Sequence, residues 1–298
     1  MKLLFLVLSL SIVAGIARAV PASSSQLTLT DKPKKGDVNL VVAGAAADLC
    51  MDEADFKVVR IAAECFAADV ERVTGKKPRV KTETRELSSH AVIIGTIGKS
   101  AVIEELIRAG KLDAKPVAGK WESFIIATVT NPLPGVSTAL VIAGSDRRGT
   151  AYGVFTLSET IGVSPWVWWA DVPPTHRDAL VISQGTHTQG PPSVKYRGIF
   201  INDEDWGLQP WAAKTFEPET KDIGPKTYAK VCELLLRLKA NYLWPAMHEC
   251  THAFNSIPGN KVVADEYAIV MGSSHAEPML FNNATEWKLP KDHWNYET

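Results

Sequence analysis

Apolar and polar positions along the first half of the chain alternate in blocks that predict strands and helices in turn. Short apolar runs ended by glycine or polar residues predict strands at VNLVVAG, AVIIG, ESFIIATV and TALVIAG. Helices are predicted over residues 52–74, at SAVIEELIRAG and over residues 146–162, with Asp146 near the start of the last. In the first of them, apolar side chains recur three and four residues apart, and Gly75 follows as the C-cap: Phe56, Val59, Ala63, Phe66, Val70, Val73. This alternation predicts an α/β domain over residues 36–190.

The pattern changes after Pro173-Pro174 and Pro191-Pro192, which interrupt regular structure and predict a second unit over residues 194–298. Strands are predicted at YRGIFIN, YLWPAM and AIVMGSS. A helix starting at Pro225 and a short helix at KVVADEYA separate them. The first of these helices has one apolar face, formed by Tyr228, Val231, Leu235 and Leu238. Strands and helices in this order, with polar clusters after each strand, predict the first part of a (β/α)8 TIM barrel.

Acidic residues follow the first strand of this second unit. Asp203, Glu204 and Asp205 place three carboxyl groups in consecutive positions beside Asn202. In a barrel, the loops after the strands form the active site, so these carboxyl groups are candidates for acid/base chemistry. The structural alternative is helix capping and ion pairing with Arg197 or Lys195. His275 and Glu277 follow the third strand and are expected at the same rim.

Tryptophans near this acidic rim favour a carbohydrate ligand. Trp206, Trp211 and Trp244 supply indole rings that can stack on sugar faces, while carboxyl groups supply a general acid and base. The run WVWWADVPP, with Trp166, could also stack on sugars, but tryptophans between two domains more often pack the interface.

The pattern His248-Glu249-x-x-His252 matches the zinc-binding signature of metalloproteases. That signature needs both imidazoles on one face of a stable helix and a further ligand. Here the pattern directly follows a predicted strand, and the Pro258-Gly259 dipeptide ends any helix soon afterwards. Glu266 could be the third ligand, but it falls in a separate predicted helix. The pattern therefore favours a loop after a strand and no bound metal, with the zinc metalloprotease as an alternative.

Composition narrows the remaining classes. The formal net charge of −1 gives no electrostatic footprint for nucleic acid or an anionic membrane surface. Residues 1–19 combine Lys2, a short apolar run and the small-x-small sequence Ala17-Arg18-Ala19, which predicts a signal peptide and a secreted protein. Four cysteines are too few for a disulfide framework, and a local Cys50–Cys65 pair or two separate thiols both remain open.

Five segments together resemble glycoside hydrolase family 115, the xylan α-1,2-glucuronidases: DRRGTAYGVFTLSETIGVSPWVWWADVPP, KYRGIFINDEDWGLQPWA, NYLWPAMH, ADEYAIVMGSSHAEPML and NNATEWK. The resemblance covers most of the chain after residue 19. It implies that the chain corresponds to the N-terminal portion of a family member. It implies an N-terminal α/β sandwich-like domain similar to the domain that precedes hexosaminidase barrels. A truncated TIM barrel is expected to follow it. The implied reaction removes glucuronic acid, or its 4-O-methyl ether, from xylan with inversion.

The resemblance also implies roles for individual residues. Asp205 resembles an essential carboxylate of the family, Asn202 a substrate contact, and His275 an active-site residue. Glu204 joins Asp205 and His275 as a catalytic candidate, and Asp203, Trp206 and Glu277 join Asn202 as substrate-binding candidates. Which of the three consecutive carboxyl groups points inward stays open.

The implied partner is glucuronoxylan or its oligosaccharides, and no organic cofactor is expected. From Lys195 onward the chain is much shorter than the ~250 residues that a full barrel takes. We therefore expect little or no hydrolase activity from this chain by itself. The alternative is a non-catalytic carbohydrate-binding remnant.

Overall fold

The computed structural model describes residues 27–202, 204–274, 281–282 and 286–293, and it shows a mixed α/β protein. Between residues 27 and 190 the structure has nine strands: β1 (Val38–Val42), β2 (Ala45–Ala46), β3 (Asp48–Met51), β4 (Val80–Lys81), β5 (His90–Thr96), β6 (Phe124–Thr130), β7 (Thr138–Gly144), β8 (Leu180–Ile182) and β9 (Thr186–Gln189). Six of them form one sheet in the order β4-β3-β5-β7-β6-β9. Its first four strands are parallel, whereas β6 runs antiparallel to both β7 and β9.

Both faces of this sheet are buried, because successive residues of its central strands enter different apolar cores. In β5, Val92 and Ile94 join one core while Ala91 and Ile93 join the other. The strands β6 and β7 divide in the same way. This period of two is the geometry of a strand, and it explains why these runs are continuously apolar in the sequence.

Three helices cover the sheet: α1 (Lys57–Thr74), α2 (Ala101–Arg108) and α3 (Arg147–Thr160). Helix α1 starts later than the predicted residue 52, but it ends as predicted at Gly75, whose φ of 70° is left-handed. The prediction for α3 is confirmed, because Asp146 caps it by accepting a hydrogen bond from the Gly149 amide at 2.8 Å. Gly149 also allows close packing, since a Cβ there would lie 2.3 Å from the Ser123 carbonyl oxygen.

Five short strands were missed by the hydrophobic pattern: β2, β3, β4, β8 and β9. Strand β8 pairs antiparallel with β1 in a three-stranded sheet β2-β1-β8, and β9 pairs with β6 at the edge of the large sheet. Both strands find their partners far away in the sequence, so no local pattern marks them. In the part of the chain that the structure covers, no helix is long and apolar enough to cross a membrane.

The open question about Cys50 and Cys65 is settled by their positions. Both thiols are free. Cys50 packs in the core on the α2 side of the large sheet, whereas Cys65 on α1 packs against the other core. Burial raises the pKa of the Cys50 thiol to about 11, which is the behaviour of a small buried apolar group.

The second unit is built on three parallel strands in the order β10 (Gly198–Phe200), β11 (Tyr242–Trp244) and β12 (Val270–Met271). The short helix α4 (Leu208–Trp211), a π-helical turn (Ala212–Phe216) and α5 (Pro225–Arg237) connect β10 to β11, and α6 (Pro258–Glu266) connects β11 to β12. Leu243 is fully buried beneath these helices. The succession of parallel strands and helices agrees with the predicted start of a barrel, and the barrel itself stays a prediction.

The predicted apolar face of α5 is confirmed for Tyr228, Val231 and Leu235, which are buried, and is wrong for Leu238. The helix ends at Arg237, and Leu238 is its C-cap residue with 41% of its surface exposed. The side chain therefore leaves the helical face at the point where the periodicity ends.

The two units are joined by a buried polar network below the N-terminal ends of the parallel strands. The Glu122 carboxylate has no exposed surface and accepts hydrogen bonds from Arg148 and Arg197, both at 2.5 Å, and from the Asn241 amide at 2.6 Å. Arg197 and Asn241 directly precede β10 and β11, so Glu122 fixes the starts of two strands. Among the described residues, Arg197 pairs with Glu122 and with neither Glu204 nor Asp205.

Helix α5 is attached to α1 through a second ion network. The Arg237 guanidinium donates to both oxygens of Asp69 at 2.8 and 3.1 Å and to Glu233 at 3.0 Å, and all three groups are buried. The Asp69 and Glu233 carboxylates raise the pKa of Arg237 even though burial opposes this.

Tryptophans also pack this junction. Trp168 makes edge contacts with Trp169, Trp211 and Phe216, at centroid distances between 4.9 and 5.9 Å. The Trp169 indole donates to the Lys230 carbonyl at 3.1 Å. The interface interpretation of this segment is therefore favoured over a sugar platform, and Trp211 lies in this cluster rather than at the acidic rim.

Candidate active site

The loops after the three parallel strands meet at one edge of the second sheet, as expected for a parallel arrangement. Residues 201–207 follow β10, residues 245–253 follow β11, and residues 272–274 follow β12. Met247 lies at their meeting point: its amide donates to Glu204, its sulfur lies 2.6 Å from the Ser274 hydroxyl, and its carbonyl accepts from Asn282 at 3.0 Å. The strand-end segments thus form one continuous surface, which we call the rim.

Glu204 is the buried member of the acidic run, with 1% of its surface exposed. Its Oε1 accepts hydrogen bonds from the backbone amides of Met247 at 2.5 Å and His248 at 2.7 Å. Its Oε2 is buried and has no hydrogen-bond partner among the described residues. Glu204 therefore ties the loop after β10 to the loop after β11, and burial keeps it from direct contact with a substrate.

Asp205 points the other way. Its side chain is 44% exposed, and its Oδ1 lies 3.4 Å from Nδ1 of His248. Trp206 follows with 86% of its surface exposed, so its ring is available for stacking on a ligand. Of the two described carboxyl groups in the run, Asp205 is the accessible one.

Asp222 is a buried rim carboxylate that the sequence analysis missed. Its Oδ2 accepts from the His252 amide at 2.7 Å and lies 2.5 Å from Nδ1 of the same residue. Its Oδ1 accepts from the Thr251 hydroxyl at 2.7 Å and from the Ile223 amide at 2.8 Å. Burial raises the pKa of Asp222, but these hydrogen bonds outweigh it and hold the pKa below its ordinary value. The only signal in the sequence was an acidic residue shortly before the start of α5.

Glu217, also missed, fixes the N-terminus of α5. Its carboxylate is fully buried and accepts from the backbone amides of Lys226 and Thr227, both at 3.0 Å, and from the Thr227 hydroxyl. A carboxylate at this end of a helix satisfies amides that have no partner within the helix. The loop between β10 and α5 is therefore anchored at both ends.

The zinc-like pattern lies in a turn between β11 and α6 rather than on a helix. His248 faces Asp205 and Glu204, whereas His252 faces Asp222, so each imidazole is oriented by different carboxylates. Within the described ranges, no group of three metal-ligating side chains could hold an ion, and Glu266 closes α6 without joining either histidine. The geometry that a metalloprotease requires is therefore missing from this segment.

Some of the remaining candidate residues lie within the described part of the chain, and others lie outside it. Asn202 is exposed at the start of the rim, and Trp244 lies on the sheet with its ring 5.3 Å from that of Phe200. Asp203, His275 and Glu277 lie outside the described residues, so their predicted roles stay predictions.

Comparisons with known proteins identify the family of the chain. Residues 189–298 match the model of glycosyl hydrolase family 115. The chain is 43% identical to BtGH115A, described as a 4-O-methyl-α-glucuronidase with specificity for decorated arabinogalactans, with a TM-score of 0.72. This alignment covers 82% of the chain and 30% of that relative, so the chain spans less than a third of the relative's length.

Weaker structural overlap extends to a Streptomyces plicatus N-acetyl-β-hexosaminidase, at 11% identity and a TM-score of 0.47, over 87% of this chain and 47% of that one. Overlap this weak does not establish a shared fold. No curated protein matches the chain. The identity to BtGH115A, together with the family match over the segment that forms the rim, shows that the chain belongs to glycosyl hydrolase family 115.

Proposed function

We propose that the rim forms part of the active site of a glycosidase that removes glucuronic acid, or its 4-O-methyl ether, from a plant polysaccharide. The observation that supports this proposal most strongly is the exposed Asp205 carboxylate beside the 86% exposed Trp206, at the C-terminal ends of parallel strands. A carboxylate can transfer a proton to or from a glycosidic bond or a water molecule, and an indole can stack on a sugar ring. The relative BtGH115A, named as a glucuronidase, agrees with the uronic acid as substrate.

The proposed mechanism is inversion, in which a general acid protonates the leaving oxygen while a general base activates water on the opposite sugar face. The two carboxyl groups then lie ~6.5–9.5 Å apart to admit the water. We assign Asp205 to one of these two positions. Glu204 and Asp222 hold the loops through backbone amides and take no part in proton transfer.

The polysaccharide is a separate part of the proposal. The family resemblance favours glucuronoxylan, whereas BtGH115A is described as specific for decorated arabinogalactans. We propose glucuronoxylan as the substrate and glucuronidated arabinogalactan as the comparison in the same assay. Release of glucuronic acid from the arabinogalactan alone would contradict the choice of xylan and leave the glycosidase intact.

The test measures binding and turnover on the same chain. Isothermal titration gives the Kd for D-glucuronate, and chromatography measures the glucuronic acid released from both polysaccharides. We expect binding of glucuronate with little or no turnover by this chain, and Asp205→Asn should change the Kd for glucuronate. Asp178→Asn is the matched control, because Asp178 is an exposed carboxylate that pairs with His176 far from the rim in sequence.

Each outcome has a clear meaning. Turnover that Asp205→Asn abolishes supports the enzyme and contradicts the expectation of an inactive chain. Binding that is insensitive to Asp205→Asn favours the carbohydrate-binding remnant over the enzyme. Absence of both binding and turnover overturns the proposed function for this chain.

We further propose that the protein is exported, since its polymeric substrate lies outside the cell. The support is the predicted signal peptide, which lies outside the described residues. N-terminal sequencing of the protein from the culture medium should begin near Val20. A protein that retains Met1 and stays in the cytoplasm would contradict export.

A further inference from the structure

The carboxylate of a glucuronic acid distinguishes it from a neutral sugar, and the rim is a difficult place for such an anion. Glu204, Asp205 and Asp222 all lie in this region, and each contributes to raising the pKa of the Cys250 thiol. The described strand-end segments, residues 201–202, 204–207, 245–253 and 272–274, contain no lysine or arginine. None of the ion pairs formed by these three carboxylates in the described part of the chain involves lysine or arginine.

Histidines are therefore the only side chains of these segments that can carry positive charge at this surface. The two histidines, His248 and His252, both belong to the loop after β11. Each turns Nδ1 toward a carboxylate, which leaves Nε2 without a protein partner among the described residues. A carboxylate at Nδ1 fixes the orientation of an imidazole and stabilises its protonated form.

The two imidazoles differ in their surroundings. His252 is 75% exposed, and a charge in such a position is screened by water. His248 is 35% exposed, and its Nδ1 lies 3.4 Å from Asp205 Oδ1 and 3.7 Å from Glu204 Oε2. Glu204 Oε2 is buried without a hydrogen-bond partner among the described residues, and the His248 imidazole is the group that pairs with it there.

We propose that His248 is the specificity-determining residue that recognises the carboxylate of glucuronic acid, with Nε2–H donating to a carboxylate oxygen. The inference rests on the proposed function and names the residue that distinguishes a uronic acid from a neutral sugar at the same rim. It also assigns a role to the first histidine of the zinc-like pattern that involves no metal.

The test compares the Kd of two methyl glycosides, methyl glucuronide and methyl glucoside, for the 298-residue chain and three variants. His248→Gln should weaken glucuronide binding about tenfold, the size of a lost hydrogen bond to a charged group. Glucoside binding should stay unchanged. His248→Arg restores a cation and should recover the preference for glucuronide. His252→Gln is the matched control from the same loop and should change both Kd values less than about twofold.

A second measurement observes the ring directly. In ¹H–¹⁵N correlation spectra of the imidazoles, methyl glucuronide should shift Nε2 of His248, whereas methyl glucoside should leave it in place. Circular dichroism of each variant establishes that it is folded before binding is compared.

The outcomes separate this inference from the proposed function. Equal weakening of both glycosides by His248→Gln indicates a structural role and overturns the inference. A loss in His252→Gln with none in His248→Gln also overturns it. If the unmodified chain binds the two glycosides equally, uronate recognition fails while carbohydrate binding stands. If it binds neither glycoside, both proposals fail.

Discussion

The parallel sheet of the second unit has a buried glutamate near each end of its strands, and the two glutamates have different surroundings. At the N-terminal ends of the strands, both oxygens of Glu122 accept hydrogen bonds from arginine side chains, and the Asn241 amide donates a third hydrogen bond. Beyond the strand ends, Glu204 uses one oxygen for two backbone amides, and its other oxygen has no hydrogen-bond partner among the described residues. A fully satisfied network fixes structure, whereas an incompletely satisfied one at an exposed rim is typical of a functional site.

The same contrast appears in the surrounding charges. Around Glu122, two guanidinium groups pair with one carboxylate, and all of these groups are largely buried. Among the described residues of the rim region, three carboxylates share two imidazoles, and neither lysine nor arginine takes part in their ion pairs. This excess of acid suits the proton transfer proposed for the rim, and the proposal above assigns recognition of the anionic sugar to His248.

The largest expected effect on stability is at Glu122, whose carboxylate oxygens both accept hydrogen bonds. Glu122→Gln removes the negative charge that compensates Arg148 and Arg197, and we expect it to lower the free energy of unfolding by about 3 kcal/mol. Urea denaturation followed by circular dichroism measures the change. Glu64→Gln is the control, because Glu64 forms an exposed pair with Arg60 and should cost less than about 0.5 kcal/mol. If both substitutions lowered the free energy of unfolding equally, the Glu122 network would contribute no more than an exposed ion pair, and the contrast with Glu204 would be contradicted.

The next largest effect on stability is expected at Asp222, and it depends on pH. Asp222→Asn should destabilise the fold by about 2 kcal/mol at neutral pH, because the ionised carboxylate accepts from His252, Thr251 and Ile223. The pKa of Asp222 in the folded protein lies below its ordinary value of 3.8, so its stabilisation is present above about pH 4. It is lost as the pH falls through the folded-state pKa. Urea denaturation of both proteins at pH 7, 5 and 3 should show the difference shrinking at the lowest pH, and a constant difference would contradict this origin.

A smaller effect is expected at Glu204. Glu204→Gln keeps an oxygen that can accept from the Met247 and His248 amides, and it removes a charge whose second oxygen has no hydrogen-bond partner in the described part of the chain. We therefore expect a loss of about 1 kcal/mol, well below that of Glu122→Gln. The same denaturation series tests it. A loss equal to that of Glu122→Gln would show that the rim glutamate is as firmly built into the structure as the junction glutamate.

The smallest effect on stability is expected at Trp206. Its ring is exposed, so Trp206→Ala should change the free energy of unfolding by less than about 0.5 kcal/mol. If the ring stacks on the sugar, the same substitution should weaken binding of methyl glucuronide and methyl glucoside alike, by about tenfold. Thermal unfolding and isothermal titration separate the two quantities. Unchanged binding of both glycosides would remove Trp206 from the site.

The fold of the N-terminal unit could be predicted from the sequence wherever apolar runs were long. Gly75 and Asp146 marked the ends of helices through local rules of backbone geometry and capping. The edge strands β8 and β9 could not be predicted, because they depend on partners far away in the chain. At the end of α5, the periodic pattern extended one residue too far and included Leu238.

The location of the candidate site could be predicted from the sequence, but the orientation of its carboxyl groups could not. Strand-end acids marked the rim, because parallel strands place those positions together. Which carboxyl group is buried depends on how the loop after β10 turns, and only the structure separates Glu204 from Asp205. The role of Asp222 could not be predicted, because its partners Thr251 and His252 belong to another loop about thirty residues away in the sequence. The segment with zinc-like spacing forms a turn, as its position after a strand predicted.

The tryptophan cluster at the junction gives the molecule a built-in optical probe. Trp168 and Trp169 belong to the segment after α3, whereas Trp211 and Phe216 belong to the second unit, and their rings lie close together at steep angles or stacked. Aromatic rings held in a fixed asymmetric arrangement give a near-ultraviolet circular dichroism signal that vanishes when tertiary packing is lost. Loss of packing at this junction can therefore be followed by near-ultraviolet circular dichroism without a label.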